Sequence, residues 1–303
     1  MSAPLGLGLD AGGTTTRWAL SDAEGRIVAE GVAAGMTGLQ LVNEHGRAAL
    51  AAALNALGAE VRKVGTPGAV CAGFTGLDQH TDVMAGLIAN ALGIDAKAVA
   101  LKSDIEITYH DLFQPGEGYV VYAGTGTVAA FIDADGQMQR AGGRGAIIDD
   151  AGGGFWIARE ALKHIWRAED QRPGAWRESP LARRVFEHIG SADWGATRAF
   201  FYGKERGEIG QLARAVAAAA GEDPVALRLL VDAGRELARL AHALTGRFGS
   251  RPVALCGRVL LLHPAIEQSF REALPGEDIR VRIAAAHHAA AHIAARNANE
   301  ESR

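Results

Sequence analysis

Apolar residues alternate along positions 4–10 and the run stops at Asp10, a spacing that predicts a strand. Arg17 to Leu20 and Arg26 to Ala33 read as two more strands joined by the turn Asp22 to Gly25, so the chain opens as a β-meander. Leu39, Val42, Leu50, Leu54 and Leu57 recur at helical spacing and predict an amphipathic helix over 39–57. A strand near 68–73, a helix near 80–92, a strand near 97–102 and a short helix near 105–112 follow. At Tyr119 the pattern begins again. The run YVVYAG is a strand, TGTVAAFI turns into a second, and Gln137 to Arg140 makes a third beyond the turn Asp133 to Gly136. The two halves open alike, which predicts an internal duplication of architecture. The second half continues with a helix over 154–167 and a mostly helical stretch from about 180 to 246, where Pro180 and Pro224 stand like first-turn prolines. A strand over 252–257, a helix over 264–274, a strand over 279–283 and an Ala/His-rich helix over 284–298 complete the chain. Pro115, Gly116 and Gly118 mark a boundary between the halves.

Composition narrows the picture. The chain has 303 residues, enough for two domains with separate cores. Its net charge of −4 offers no basic patch for nucleic acid or an anionic membrane. Two cysteines, Cys71 and Cys256, lie far apart in apolar runs and read as buried thiols, not as a disulfide or zinc framework. The opening segment lacks a basic region before its apolar run, and no run of about 18 apolar residues occurs. A reducing cytoplasm is the expectation, with no nucleic-acid or membrane partner.

Five segments could carry chemistry. In LGLDAGGTTTRWAL, a strand delivers Asp10 into a turn with Gly12 and Gly13, followed by Thr14, Thr15 and Thr16. Glycines let backbone amides approach a phosphate, threonine hydroxyls add donors, and Asp10 can bind the water shell of Mg²⁺. In VVYAGTGTVAAFI, Gly124, Thr125, Gly126 and Thr127 stand at the matching place in the second half, so a triphosphate and its metal could be gripped from two sides. Gly6-x-Gly8 and Gly124-x-Gly126, each with an alanine three residues on, match a dinucleotide-binding pattern. That pattern needs a helix directly after the glycines, whereas strand-like RWALS and VAAFI follow. Asp104 lies just past a strand end, where it could take a proton from a substrate hydroxyl; read alone, Ser103 or Asp104 is an ordinary helix cap. Asp149 or Asp150, before a glycine run and a helix, could face a polyol or could cap that helix, whose N-terminus could face anionic groups. Gly257 ends a strand in a turn that could lie flat on an adenine or be a plain strand-to-helix turn. His288 and His292 are four apart on the last helix, but that helix holds no acidic third ligand before Glu300.

With these segments in place, the chain resembles the BadF/BadG/BcrA/BcrD-type ATPase family, and within it the N-acetylglucosamine kinase group. The resemblance runs over nearly the whole chain and is strongest at DAGGTTTRWAL, GFTGLDQ, SDI, AGTGT, GGRG…DDAGGGFWIARE and LCGRV. It implies an α/β fold of two ribonuclease-H-like domains of the actin, hexokinase and Hsp70 superfamily, with an interdomain active-site cleft. The domains would be 1–114 and 115–284, the second with a helical insertion, and a closing helix over 285–303 would pack back on the first. It also implies ATP and Mg²⁺ as cofactors, a sugar as substrate and a homodimer. Asp10 and Gly12 to Thr16 fall on the first phosphate motif, Gly124 to Thr127 on the second and Gly257 on the adenosine motif. Asp104 falls on the catalytic base. Thr37, Gly38, Gly143, Arg144 and Asp150 fall on the sugar side, with Asp150 as a sugar-contacting carboxylate. There the chain departs from the group: Met36-Thr37-Gly38 replaces an Asn–His pair, Val128 an Asn, Arg144 a Trp, and Asp149 to Gly153 the run GDEGS. The implied reaction is phosphorylation of N-acetylglucosamine, with glucosamine or another hydroxylated acceptor open. The family's other branch, activators of radical dehydratases, needs paired cysteine ligands near an interface, which the cysteine positions argue against.

Overall fold

The computed structural model describes residues 5–13, 15–77 and 80–301, and the chain divides into two compact units. The first runs to Gln114 and resumes at Ala284; the second is Pro115–Ile283.

In the first unit, β1 (Leu5–Ala11), β2 (Thr15–Ser21) and β3 (Ile27–Ala34) form an antiparallel meander, and β4 (Pro67–Phe74) and β5 (Val99–Ser103) add in parallel. The strand order is β3-β2-β1-β4-β5. Alternation along β1 sends Leu7, Leu9 and Ala11 into one core with Leu50, Leu54, Leu57 and Val61 of α1 (Glu44–Arg62) and Met84 and Ile88 of α2 (Thr81–Leu92). The helix expected over 39–57 starts later, because Asn43 caps it by accepting the Gly46 amide at 2.8 Å; Gly38–Val42 form a separate 3₁₀ turn. After β5 comes α3 (Asp104–Leu112).

The second unit repeats this plan. β6 (Tyr119–Ala123), β7 (Thr127–Ile132) and β8 (Met138–Gly142) are antiparallel. Between β8 and β9 the chain makes α4 (Gly154–Gln171), α5 (Pro180–Ile189), α6 (Trp194–Gly203), α7 (Arg206–Gly210), α8 (Leu212–Ala219) and α9 (Pro224–Phe248). Pro180 and Pro224 do occupy first turns. β9 (Val253–Cys256) then pairs in parallel with β6, α10 (Pro264–Ala273) follows, and β10 (Ile279–Arg282) pairs in parallel with β9. The order β10-β9-β6-β7-β8 mirrors the first sheet strand for strand. No helix among the described residues is long and apolar enough to cross a membrane.

The last helix, α11 (Ala286–Glu301), belongs to the first unit and packs on the other face of its sheet. Cys71, Ile107, Ala286, Ala290 and Ala294 form the core there. Gly6 and Gly8 explain the close fit: a Cβ at Gly6 would lie 2.0 Å from the Ala295 amide nitrogen, and one at Gly8 2.1 Å from the His287 carbonyl oxygen. The Gly-x-Gly run on β1 therefore serves helix packing, and alanines line the facing helix for the same reason. Both cysteines are buried, and burial pushes the Cys71 thiol up to about 11.

Candidate active-site residues

In the first unit, the end of β1 organises the polar residues. Asp10 pairs across the sheet with Arg17 on β2 and Gly73 on β4. Gly12 closes the hairpin by donating to the Thr15 carbonyl at 3.2 Å, and its own carbonyl accepts from the Met36 amide at 3.0 Å. The Thr75 amide donates to the Ala11 carbonyl at 3.2 Å, and the Gly38 amide to the Thr75 carbonyl at 3.0 Å. The first hairpin, the 36–38 segment and the end of β4 are thus one tied cluster. Gly38 has no room for a side chain, since a Cβ would come within 2.5 Å of the Gly76 carbonyl oxygen. Thr37 borders the hairpin, with its methyl 3.5 Å from where a Cβ on Gly13 would stand, and Gly13 itself is exposed.

Asp104 joins this cluster. Ser103 holds the N-cap, which makes Asp104 the first residue of α3. Its Oδ1 accepts the Ile105 amide at 2.8 Å and its Oδ2 accepts the Thr75 hydroxyl at 2.6 Å. Gly73 lets the helix start come close, because a Cβ there would collide with Ile107 and stand 3.3 Å from the Asp104 Cα. Burial, then the charge of Asp104, push the Asp10 carboxyl up to about 6, with Arg17 pulling the other way. Two carboxylates that feel each other in a desolvated place suit a hard divalent cation, so Asp10 fits the role of a Mg²⁺ holder. Thr75 is the residue that sequence reasoning missed: GFTGLDQ pointed at the segment, yet only the fold brings its hydroxyl to Asp104.

In the second unit, the hairpin Gly124–Thr127 is tied up from within. The Gly124 amide donates to the Gly126 carbonyl at 2.9 Å, while the carbonyls of Gly124 and Thr125 accept the Gly154 and Phe155 amides at 2.9 and 3.0 Å. The start of α4 thus gives its first amides to the hairpin, which corrects the expectation that this helix end faces an anion. Gly257, at φ +110°, presses on the strand next to the hairpin; a Cβ would lie 2.2 Å from the Ala123 carbonyl oxygen. Asp150 is buried in a left-handed conformation at φ +53°. Its Oδ1 accepts the Gly145 amide at 3.1 Å, and its Oδ2 lies 2.4 Å from where a Cβ on Gly126 would stand. Burial raises its carboxyl above the usual range. Asp150 therefore backs the hairpin and does not stand on the open loop, where Gly143 and Arg144 are exposed; Asp149 instead pairs with Arg239 at 3.2 Å.

Two threonines expected to reach phosphate are closed off. Thr16 is fully buried, its hydroxyl without a hydrogen-bond partner among the described residues. Thr127 is buried and donates to the Ala151 carbonyl at 3.1 Å. Thr15 and Gly12 are partly accessible, and Thr14 lies outside the described residues.

Two copies of one five-stranded plan, each opening on a Gly/Thr hairpin, define an actin-like ATPase of the sugar-kinase type. The chain matches the model of the BadF/BadG/BcrA/BcrD ATPase family over residues 7–292 and belongs to that family. It is similar to an N-acetylmuramic acid/N-acetylglucosamine kinase of Clostridium acetobutylicum, 27% identical over 76% of each chain. An N-acetyl-D-glucosamine kinase of Dictyostelium discoideum is 25% identical, over 56% of this chain and 57% of that one. Among solved structures, a candidate N-acetylglucosamine kinase from Chromobacterium violaceum matches with a TM-score of 0.75 at 27% identity, covering 97% of this chain and 100% of that one.

Proposed function

We propose that this chain is an ATP-dependent amino-sugar kinase that moves the γ-phosphoryl group of ATP to N-acetylglucosamine, at the primary hydroxyl on carbon 6. The observation that carries the reading is Asp104: a carboxylate at a strand end, held at one oxygen by Thr75 and at the other by a backbone amide, beside the metal-suited Asp10. Asp104 accepts the proton of the acceptor hydroxyl as that oxygen attacks the γ-phosphorus, and ADP leaves. Thr75 fixes the carboxylate so that its other face meets the hydroxyl. Asp10 would hold Mg²⁺ through water; the ion would offset negative charge on the phosphate oxygens. The Gly13 amide is the phosphate donor proposed for the first unit and the amides of Thr125 and Gly126 those proposed for the second, since the Gly12 and Gly124 amides are spent within their own hairpins, and Gly257 is the residue proposed for the adenosine. Asp150 supports Gly126; Thr37, with buried Gly38 behind it, is the sugar contact proposed for the first unit, and exposed Gly143 and Arg144 are those proposed for the second.

N-acetylmuramic acid is the second acceptor to consider. The Clostridium relative is named for both sugars, and the extra carboxylate of that sugar suits the exposed guanidinium of Arg144. The dehydratase-activator reading loses ground because both cysteines are buried. We take the protein to work in the cytoplasm as a homodimer, which light scattering of the purified chain tests. The deciding experiment is ADP release with ATP and Mg²⁺ against N-acetylglucosamine, N-acetylmuramic acid, glucosamine, N-acetylmannosamine, glucose and no sugar. Strong stimulation by an N-acetylated sugar supports the proposal, and slow hydrolysis indifferent to every sugar overturns it.

A further inference from the structure

The start of α11 gathers three metal-binding side chains that the kinase reading leaves unused. Glu30 stands on β3, the edge strand of the first sheet, while His287 and His288 open the last helix. The Glu30 Oε2 lies 2.5 Å from His288 Nε2 and 3.6 Å from His287 Nε2, and one ligand atom from each residue lies within 4.8 Å of the other two. On sequence alone, His288 paired with His292 and lacked an acid in its helix. The fold supplies that acid from 258 residues away and chooses the adjacent histidine instead.

Two imidazoles and a carboxylate are a donor set for zinc and neighbouring transition metals, not for Mg²⁺. Bonds of about 2.0–2.1 Å hold tetrahedral ligand atoms about 3.3–3.4 Å apart. The Glu30–His287 separation already suits that figure, and replacing the Glu30–His288 hydrogen bond by an ion requires opening it by roughly 1 Å. The two rings lie side by side, with centroids 4.3 Å apart. His287 Nδ1 is buried with no hydrogen-bond partner among the described residues, so Nε2 is the nitrogen the ring can offer.

The framework is fixed. The His287 carbonyl abuts Gly8 too closely to allow a Cβ there, and the Ala285 amide donates to Asp111 Oδ2 at 2.8 Å. Such anchoring is what a preorganised first coordination sphere needs. Access exists as well, because His287 is almost covered while Glu30 is exposed, leaving the fourth position to water.

We propose that Glu30, His287 and His288 bind a zinc-class cation, completed by water, that staples the first turn of α11 to the edge strand. The full chain, carrying no histidine tag and stripped with chelator, is titrated with Zn²⁺ by calorimetry and followed by thermal melting, with Mg²⁺ in parallel. One zinc per chain and a rise in Tm on the order of a few degrees at saturating zinc are expected, with no such rise in Mg²⁺. Co²⁺ in the same site should give the visible bands of a tetrahedral ion. Glu30→Gln and His288→Ala, both at partly exposed positions and checked for folding by circular dichroism, should each weaken zinc binding at least about tenfold. His292→Ala should leave it unchanged. A stoichiometry near zero, binding that survives Glu30→Gln and His288→Ala combined, or loss through His292→Ala alone would overturn the proposal.

Discussion

Across the first sheet, the row at the end of β1 reads Arg17, Asp10, Gly73; the matching row of the second sheet reads Val128, Tyr122, Cys256. Two residues back along the strand, Gly8 stands where the second sheet has Val120. The backbone plan is shared, yet one copy carries a charged pair and the other does not. The hairpins differ in the same sense. Both hairpins have engaged carbonyls, a buried last threonine and an exposed residue, Gly13 or Thr125; they differ in that the second is tied to the start of α4, whereas the first is tied to the 36–38 segment and the end of β4 and has two carboxylates nearby. The scaffold is thus repeated, and the pair of carboxylates belongs to one half of it.

This contrast can be broken or sharpened experimentally. Asp104→Asn should have the largest effect, lowering turnover by on the order of 10²–10⁴-fold with nucleotide binding kept. Near-normal turnover would remove the first unit's claim to the chemistry. Gly8→Val tests the packing side. Its Cβ would meet the His287 carbonyl, so unfolding in urea should show a loss of about 1–3 kcal/mol or more. An unchanged midpoint would mean that α11 yields easily.

Asp10 gives a pH signature. Its folded pKa is raised, so the fold prefers the protonated form. The associated stability is full below about 4 and is lost as pH rises through about 6, a change on the order of 1–3 kcal/mol in the ligand-free protein. Binding of Mg²⁺ needs the ionised form, so the Mg²⁺ requirement should ease over the same window. Asp10→Asn should flatten both trends, and trends that persist in that variant would point to another group. Thr75→Val removes one hydrogen bond to Asp104 and should cost about tenfold or less in kcat, with KM for ATP little changed. Arg144→Trp should have the smallest effect, a few-fold shift in preference away from N-acetylmuramic acid; an unchanged ratio would show that position does not select the acceptor.

How much of this was legible in the sequence depends on the range of the interaction. The repeated meander could be read because Gly/Thr turns sit between alternating strands, a local signal. By its place at a strand end Asp104 read as a helix cap or a base, and the family resemblance was what singled it out. What stayed hidden is set by distant partners. Thr75 matters only through Asp104, and the β1 glycines only through a helix nearly the whole chain away. Glu30 meets His288 because an edge strand and the last helix share one face of the sheet. Thr16 and Thr127 looked like phosphate donors by type, but their burial follows from strand pairing at Ala11 and Ala123, which turn chemistry alone does not reveal.

The membership of α11 in the first unit also bears on how the protein is made. Synthesis runs from the N-terminus, and domains generally fold as units in that order. Here the first sheet emerges early, but one of its faces is covered by residues that leave the ribosome only after the whole second unit. During most of translation the glycine-lined face of β1 stays open, and a nascent chain stopped anywhere before Ala284 lacks that cover. The second unit, complete by Ile283, is the one free to finish first. Ribosome-arrested chains of increasing length should therefore gain protease resistance in the order opposite to their order of synthesis.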